Sequence, residues 1–124
     1  MTHNIFIVDD DKFFGKMLFE HLTKKGGRTV TVFSTGEDCL NNLDTKPDLI
    51  ILDYNLDSAN PDAANGLVIL DAIRRKHQLM PVIMLSSQKQ YSVALQSIQK
   101  GAEQYVIKDD DAFENIDRIL EEIL

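Results

Sequence analysis

The chain has 124 residues, a mass of 14.1 kDa and a formal net charge of −7, with 44% hydrophobic and 27% charged residues. This length corresponds to one domain, residues 1–124, that can bury a core without disulfides, and its acidic balance argues against nucleic-acid binding by the domain itself. No apolar run approaches the ~20 residues of a membrane helix, no signal peptide is visible, and Cys39 has no partner for a disulfide, so a cytoplasmic protein without membrane contact is expected.

Five short apolar runs, rich in β-branched residues, predict five strands. In chain order they are Ile5–Val8, Val30–Phe33, Leu49–Leu52, Val82–Leu85 and Tyr105–Ile107. Most are apolar on both faces, which is typical of strands covered by helices on both sides. In the second run Thr29 and Thr31 alternate with valines, which indicates an edge strand with one wetter face.

The segments between these runs have helical spacing and begin with capping residues. Asp11 and Thr35 are predicted to be the N-caps of the first and second helices. Ser87 and Gln90 have the spacing of a capping box at the start of the fourth helix. The apolar stripe predicted for that helix consists of Ala94, Leu95 and Ile98, and the helix is predicted to end at Gly101.

Strands that alternate with helices predict a parallel sheet with helices on both faces. Right-handed crossovers leave two common doubly wound strand orders. In either order, ligands bind outside the carboxyl ends of the strands, at the point where the strand order reverses.

The predicted strand ends carry a concentrated set of polar groups. Asp9 and Asp10 follow the first strand, and Asp53 follows the third. If strands 1 and 3 are neighbours, these carboxylates converge, repel one another and favour a hard divalent cation, either Mg²⁺ or Mn²⁺. Ser86 and Lys108, after the fourth and fifth strands, add a hydroxyl and a cation.

Each of these residues alone would be read as a helix cap or a solvated side chain. Their coincidence at four of five strand ends changes that interpretation. Metal, lysine and hydroxyl around a carboxylate form a place that can hold a phosphoryl group.

The stretches IFIVDDD, PDLIILDYNL, NGLVIL, PVIMLSS and GAEQYVIK span nearly the whole chain and resemble the receiver domain of bacterial two-component response regulators. The resemblance implies a flavodoxin-like (βα)5 fold with strand order 2-1-3-4-5. It also implies that Asp53 accepts a phosphoryl group from a sensor histidine kinase or a phosphotransfer protein in a Mg²⁺-dependent reaction. The domain would catalyse only its own phosphorylation and dephosphorylation, and would switch a partner or effector domain, transcriptional effectors included.

The resemblance also assigns the metal shell. Asp9 and Asp10 match the acidic pair that holds Mg²⁺ together with Asp53. Asn55 matches the position whose backbone carbonyl completes the shell.

Further positions match the family's switching and decay residues. Ser86 matches the hydroxyl residue that follows the phosphoryl group, Lys108 the lysine that pairs with it, and Tyr105 the aromatic residue whose rotamer reports the movement. Side chains at Asn55 and Gln88 match the positions that tune dephosphorylation.

Two departures from the family pattern stand out. Asp53 to Gly66 spans 13 positions rather than about eight, which places an insertion of about five residues in 57–65. The family's Lys-Pro is Lys108-Asp109 here, a junction also seen in receivers of some sigma-54-type activators. Without proline, the peptide bond is predicted to be trans, with Asp109 or Asp110 as N-cap of the last helix.

The resemblance places the partner surface on helix 4, strand 5 and helix 5. From the sequence this surface offers Gln96, Gln99, Gln104 and acidic residues, with little apolar anchor.

Three alternatives remain open on the residues. A haloacid dehalogenase-type phosphatase, with an aspartate nucleophile, needs a second acid where Asn55 stands. A flavodoxin-like electron carrier needs a loop after strand 1 that binds the flavin phosphate, and the three aspartates in that position would repel the phosphate. A receiver that signals without phosphorylation is disfavoured because all five matching positions are present.

Overall fold

The computed structural model describes residues 2–57, 60–87 and 91–124. Strands and helices alternate along these residues as β1 (His3–Val8), α1 (Lys12–Thr23), β2 (Arg28–Phe33), α2 (Gly36–Leu40), β3 (Leu49–Asp53), α3 (Gly66–Lys76), β4 (Val82–Ser86), α4 (Tyr91–Gln99), β5 (Gln104–Ile107) and α5 (Ala112–Ile123). Within those ranges, no helix has the length and apolar character that crossing a membrane requires.

The predicted fold class is confirmed. The strands form one parallel sheet in the order β2-β1-β3-β4-β5. β2 lies at the edge, as its threonines predicted, and Thr29 and Thr31 are exposed. Its Val30, which points the other way, is buried.

The alternation of strand side chains divides the core into two layers. On one face, strand residues such as Ile7 and Ile51 pack against the apolar stripes of α1 and α5. On the other face, Phe6 and Ile50 pack against α2 and α3. The sheet is therefore buried on both sides, which explains why its central strands are apolar throughout.

The register brings the carboxyl ends of β1 and β3 together. Val8 pairs with Leu52, so Asp9 and Asp53, the next residues, leave the sheet side by side. Ser86 pairs with Ile107 at the ends of β4 and β5. All the predicted polar strand ends are consequently at one edge of the sheet.

Two of the predicted helix caps are present. The side chain of Asp11 accepts hydrogen bonds from the backbone N–H groups of Phe13 and Phe14 at the start of α1. The Thr35 hydroxyl accepts one from the N–H of Asp38 at the start of α2. The capping box predicted at the start of α4 involves Gln90, which lies outside the described residues.

The cap predicted for α5 was wrong by one residue. Asp111 is the N-cap and its side chain makes no capping hydrogen bond. Asp109 lies two residues before this N-cap and stabilises the turn that leads into α5. Its carboxylate accepts a hydrogen bond from the N–H of Asp111, and its carbonyl accepts one from the N–H of Ala112. The Lys108–Asp109 peptide bond is trans, as predicted.

The buried face predicted for α4 was also wrong. Val93 and Ser97 are buried, whereas Leu95 and Ile98 are each 47% exposed. Ser97 can be buried because its hydroxyl donates a hydrogen bond to the carbonyl of Val93 within the helix, which satisfies the buried hydroxyl. A small buried residue lets the helix lie close to its neighbours, and the larger apolar side chains then face outward.

The loop after β3 is anchored at its base and along its length. Leu56 is buried in the core layer beneath α3. The N–H of Ala64 donates to the carboxylate of Glu37 on α2. The segment predicted to hold an insertion, residues 57–65, thus contacts α2 at Ala64. Ser58 and Ala59 lie outside the described residues.

The residue that opens α3 has almost no room. The N–H of Gly66 donates to the carbonyl of Tyr54 at 2.8 Å, which closes the loop at its base. A Cβ atom at Gly66 would lie 2.4 Å from the carbonyl oxygen of Asp53 and 2.7 Å from the Cα of Tyr54. These are backbone atoms, so they cannot move aside without displacing the end of β3.

We expect Gly66→Ala to destabilise the fold by about 1–3 kcal/mol, the usual cost of overpacking a rigid site. Chemical denaturation followed by circular dichroism measures this change. Gly26→Ala is the control, because a Cβ there meets no atom within 4 Å. Equal stability of the two variants would contradict the close approach of α3 to β3.

Candidate functional site

Three carboxylates meet at the adjacent ends of β1 and β3. Asp9, Asp10 and Asp53 each offer a carboxylate oxygen, and these oxygens lie within 4.8 Å of one another. Asp9 and Asp53 are buried, and Asp10 is half-buried at the rim. Oxygen ligands in this arrangement suit a hard divalent cation such as Mg²⁺.

Lys108 brings a positive charge to the two buried carboxylates. Its Nζ lies 2.9 Å from Oδ2 of Asp9 and 3.5 Å from Oδ1 of Asp53. The lysine side chain is only 14% exposed, so solvent screens these interactions weakly. Its backbone N–H donates to the carbonyl of Ser86 at 2.9 Å, which fixes the lysine to the end of β4.

The second oxygen of Asp9 is occupied by the backbone. Oδ1 accepts a hydrogen bond of 2.9 Å from the N–H of Asp11. Since Asp11 is itself the N-cap of α1, the orientation of the Asp9 carboxylate depends on how the first helix begins. The sequence indicated a metal ligand at Asp9 and a helix cap at Asp11, and this hydrogen bond links the two.

Burial dominates the electrostatics of Asp53. Its pKa rises from 3.8 to about 7, chiefly through desolvation and then through the nearby negative charge of Asp9, while Lys108 opposes the shift. For Lys108, burial lowers the pKa, but the two carboxylates outweigh it and the net direction is upward. One lysine therefore balances two buried acids only in part.

Ser86 and Tyr105 belong to the opposite side of the sheet. Ser86 lies two residues after Met84 and so shares its face, and Tyr105 pairs with Met84 across β4 and β5. Ser86 is buried, and Tyr105 is half-buried against the layer formed with α3. The structure thus brings the two predicted switch residues to neighbouring strands on one face.

Asn55 lies beside Asp53, in the loop after β3. Its side-chain amide donates to the hydroxyl of Ser87 at 3.4 Å, and its backbone hydrogen bond lowers the pKa of Asp53. Gln88, the second residue assigned to dephosphorylation, lies outside the described residues.

One contact was not anticipated from the sequence. The Nζ of Lys108 lies 4.6 Å from the centroid of the Phe14 ring, on the first turns of α1. The available signal was the spacing of Phe14, because a residue three positions after the N-cap Asp11 lies on the turn that borders the strand ends.

The profile of the response regulator receiver domain family matches residues 5–120. The chain is 31% identical over 118 residues to the DNA-binding transcriptional regulator NtrC of Klebsiella pneumoniae, covering 92% of this chain and 24% of that protein. It is 30% identical over 124 residues to the chemotaxis protein CheY of Bacillus subtilis, covering 99% of this chain and 96% of CheY.

Solved structures agree with these relatives. The BeF3-activated receiver domain of DrrB superposes with a TM-score of 0.81 at 31% identity, covering 98% of this chain and 99% of that one. The chain spans about a quarter of the length of the NtrC proteins and nearly all of CheY. On this match and on the strand order described above, the chain belongs to the response regulator receiver domain family of two-component systems.

Proposed function

We propose that residues 1–124 form one phosphoacceptor receiver domain in which Asp53 takes a phosphoryl group and the change switches a partner. The observation that carries this proposal is the buried carboxylate of Asp53, placed between two further acids and one lysine at the end of a parallel strand. A receiver is a signalling module rather than a metabolic enzyme, so the chemistry proposed is confined to its own phosphorylation and dephosphorylation.

The acidic cluster supports Mg²⁺ as the cofactor, with Mn²⁺ as a substitute. Asp9, Asp10 and Asp53 would hold the ion, and the backbone carbonyl of Asn55 would complete the protein ligands. We propose that Asp10 contacts the ion directly and that Asp9, which accepts a hydrogen bond from the N–H of Asp11 and pairs with Lys108, acts largely through water. When bound, the ion would neutralise charge on the phosphoryl oxygens in a loose transition state.

The protein groups would position and neutralise the transferring phosphoryl group. A carboxylate oxygen of Asp53 attacks phosphorus; the new P–O bond forms as the P–N bond to the partner's phosphohistidine breaks, and the imidazole nitrogen keeps the electron pair. Lys108 is already within 3.5 Å of Asp53 and would pair with a phosphoryl oxygen. This positioning lowers the entropic part of the barrier.

Ser86 and Tyr105 would carry the event to the surface. A phosphoryl group on Asp53 would attract the Ser86 hydroxyl, and Tyr105 on the neighbouring strand would enter the space that opens. Such a switch is a shift between two populated states. Asn55 and Gln88, both polar and uncharged, would tune how quickly water removes the phosphoryl group.

The partners proposed are a sensor histidine kinase or phosphotransfer protein as donor, and an effector domain or partner protein as recipient. The surface of α4, β5 and α5 is the proposed contact for the recipient. The sequence suggested little apolar anchor there, but Tyr91 is 82% exposed and Leu95 and Ile98 lie beside it on α4. Because the NtrC relatives are about four times longer, a transcriptional effector is part of this proposal.

The dehalogenase-type phosphatase is not favoured. That chemistry needs a second acid two residues after the nucleophile, and Asn55 stands there with its amide hydrogen-bonded to Ser87. The match to the receiver family over residues 5–120 leaves no reason to prefer it.

Acetyl phosphate with Mg²⁺ should add one phosphoryl group to the wild-type protein, at Asp53. Asp53→Asn should accept none, because the amide cannot form the acyl phosphate. Rapid acid quench followed by intact and peptide mass spectrometry measures both. Asp57→Asn is the control, since Asp57 is a nearby exposed acid; equal labelling of Asp53→Asn and wild type would refute the assignment.

Asp10→Ala should weaken Mg²⁺ binding more than Asp9→Ala, by about 10-fold or more, because a lost direct ligand costs more than a charge acting at a distance. Isothermal titration calorimetry gives the affinities. Asp110→Ala, which removes an exposed acid outside the cluster, should bind as wild type does. A larger loss in Asp9→Ala would reverse the proposed roles.

The raised pKa of Asp53 has a defined consequence for stability without metal. The folded protein holds the Asp53 proton up to about pH 7, whereas the unfolded chain releases it near 3.8. The folded state therefore binds more protons between these values, and the contribution of Asp53 to stability falls as pH rises through that window. Above pH 7 the folded state bears the full cost of a buried charge.

In the presence of a chelator, Asp53→Asn should be more stable than wild type by about 2 kcal/mol at pH 8, with a smaller gap at pH 5. Denaturation at the two pH values measures the gap. Saturating Mg²⁺ should narrow it at pH 8, because the ion stabilises the ionised carboxylate only in wild type. A gap independent of pH would contradict the burial of an ionisable Asp53.

A further inference from the structure

We propose that Phe14 is a positioning residue for Lys108, holding its ammonium group against the phosphoacceptor through a cation–π contact. The inference rests on the proposed function, because it concerns the lysine of that same site. Neither the match to the family nor the acidic cluster assigns a role to Phe14. The contact that carries it is the 4.6 Å separation between the lysine Nζ and the ring centroid.

Two carboxylates and one aromatic ring surround the ammonium group of Lys108. Asp9 and Asp53 approach it at 2.9 and 3.5 Å, and the Phe14 ring supplies a face. A flexible four-carbon side chain loses conformational freedom when it is fixed in this way. The negative face of an aromatic ring attracts a cation most when solvent is excluded, which is the case for a lysine that is 14% exposed.

The Phe14 ring belongs to an aromatic cluster between α1 and α5. Phe14 meets Phe113 of α5 edge to face, with centroids 5.7 Å apart and planes at 68°. The His21 ring of α1 packs against the Phe113 ring, with centroids 4.9 Å apart, and the Nε2 atom of His21 lies 2.8 Å from Oδ2 of Asp117. These side chains form a continuous column between α1 and α5 that ends beneath Lys108.

The contact between Phe14 and Lys108 matters most during phosphoryl transfer. On phosphorylation, the partner of the ammonium group would change from a carboxylate oxygen to a phosphoryl oxygen a few ångströms away. Hydrogen bonds to fixed oxygens are directional, so a lysine held only by them would be released during that change. Attraction to a ring face is less directional and persists over a shift of this size. Phe14 therefore keeps the lysine in the site through the exchange.

The test replaces the ring and keeps its apolar volume as nearly as possible. Phe14→Leu, at saturating Mg²⁺ and acetyl phosphate, should slow phosphorylation of Asp53 by about 3- to 10-fold, which is the range expected from losing one buried cation–π contact. Phe14→Tyr retains the aromatic face and should restore the wild-type rate within about twofold. Phe19→Leu is the matched control, because it removes a partly exposed ring from the same helix outside this cluster, and it should react at the wild-type rate.

Two further measurements separate positioning from a general loss of packing. The ring current of Phe14 should shift the Lys108 side-chain protons in the NMR spectrum, and Phe14→Leu should remove that shift while Phe14→Tyr keeps it. In a Lys108→Met background, Phe14→Leu should change the residual rate by less than twofold, because the residue it positions is absent.

The outcomes are distinguishable. If wild type is not labelled at Asp53, the proposed function fails. If wild type is labelled and Phe14→Leu reacts at the wild-type rate, or is slowed equally with and without Lys108, the positioning role is overturned. Slowing of Phe19→Leu to the same extent as Phe14→Leu, or a lysine proton shift that Phe14→Leu leaves unchanged, would also overturn it.

Discussion

The structure depends on a single electrostatic constraint: two carboxylates are buried next to each other, and one lysine faces both. Asp9 and Asp53 cannot be ionised together at this depth without a compensating charge, and Lys108 supplies only one. The remaining negative charge would favour a divalent cation, which the proposed function requires. The fold tolerates this local instability because two extensive apolar layers surround it.

The parallel sheet explains why the proposed phosphoacceptor and the proposed switch residues lie on opposite faces of the sheet, at its carboxyl end. Successive residues of a strand point to opposite faces, so Asp9, Asp53 and Lys108 share the face of α1 and α5, each continuing the alternation of its own strand. Ser86 continues the other alternation and lies with Tyr105 on the face of α3. The Ser86 hydroxyl is therefore the group that we propose to couple the face of Asp53 to the face of Tyr105.

Much of this could be predicted from the chain because its signals are local or repeat along the strands. The apolar runs, the edge character of β2 and the caps Asp11 and Thr35 follow from the sequence, and parallel topology then brings the polar strand ends together. What could not be predicted depends on packing. The buried face of α4 was misjudged because Ser97 satisfies its hydroxyl within the helix, and hydropathy counts it as polar. The contact of Phe14 with Lys108 required the relative placement of α1 and β5.

The hydrogen bond between Gly66 and Tyr54 makes the position of Asp53 largely independent of the length of the loop between β3 and α3. Because the two ends of the loop are joined at its base, a change in the number of residues between them costs mainly loop-closure entropy, which grows only slowly with length. The insertion predicted in residues 57–65 would draw on such tolerance. The same property makes the loop a site where a peptide tag or a fluorescent reporter could be introduced close to Asp53 while β3 keeps its position.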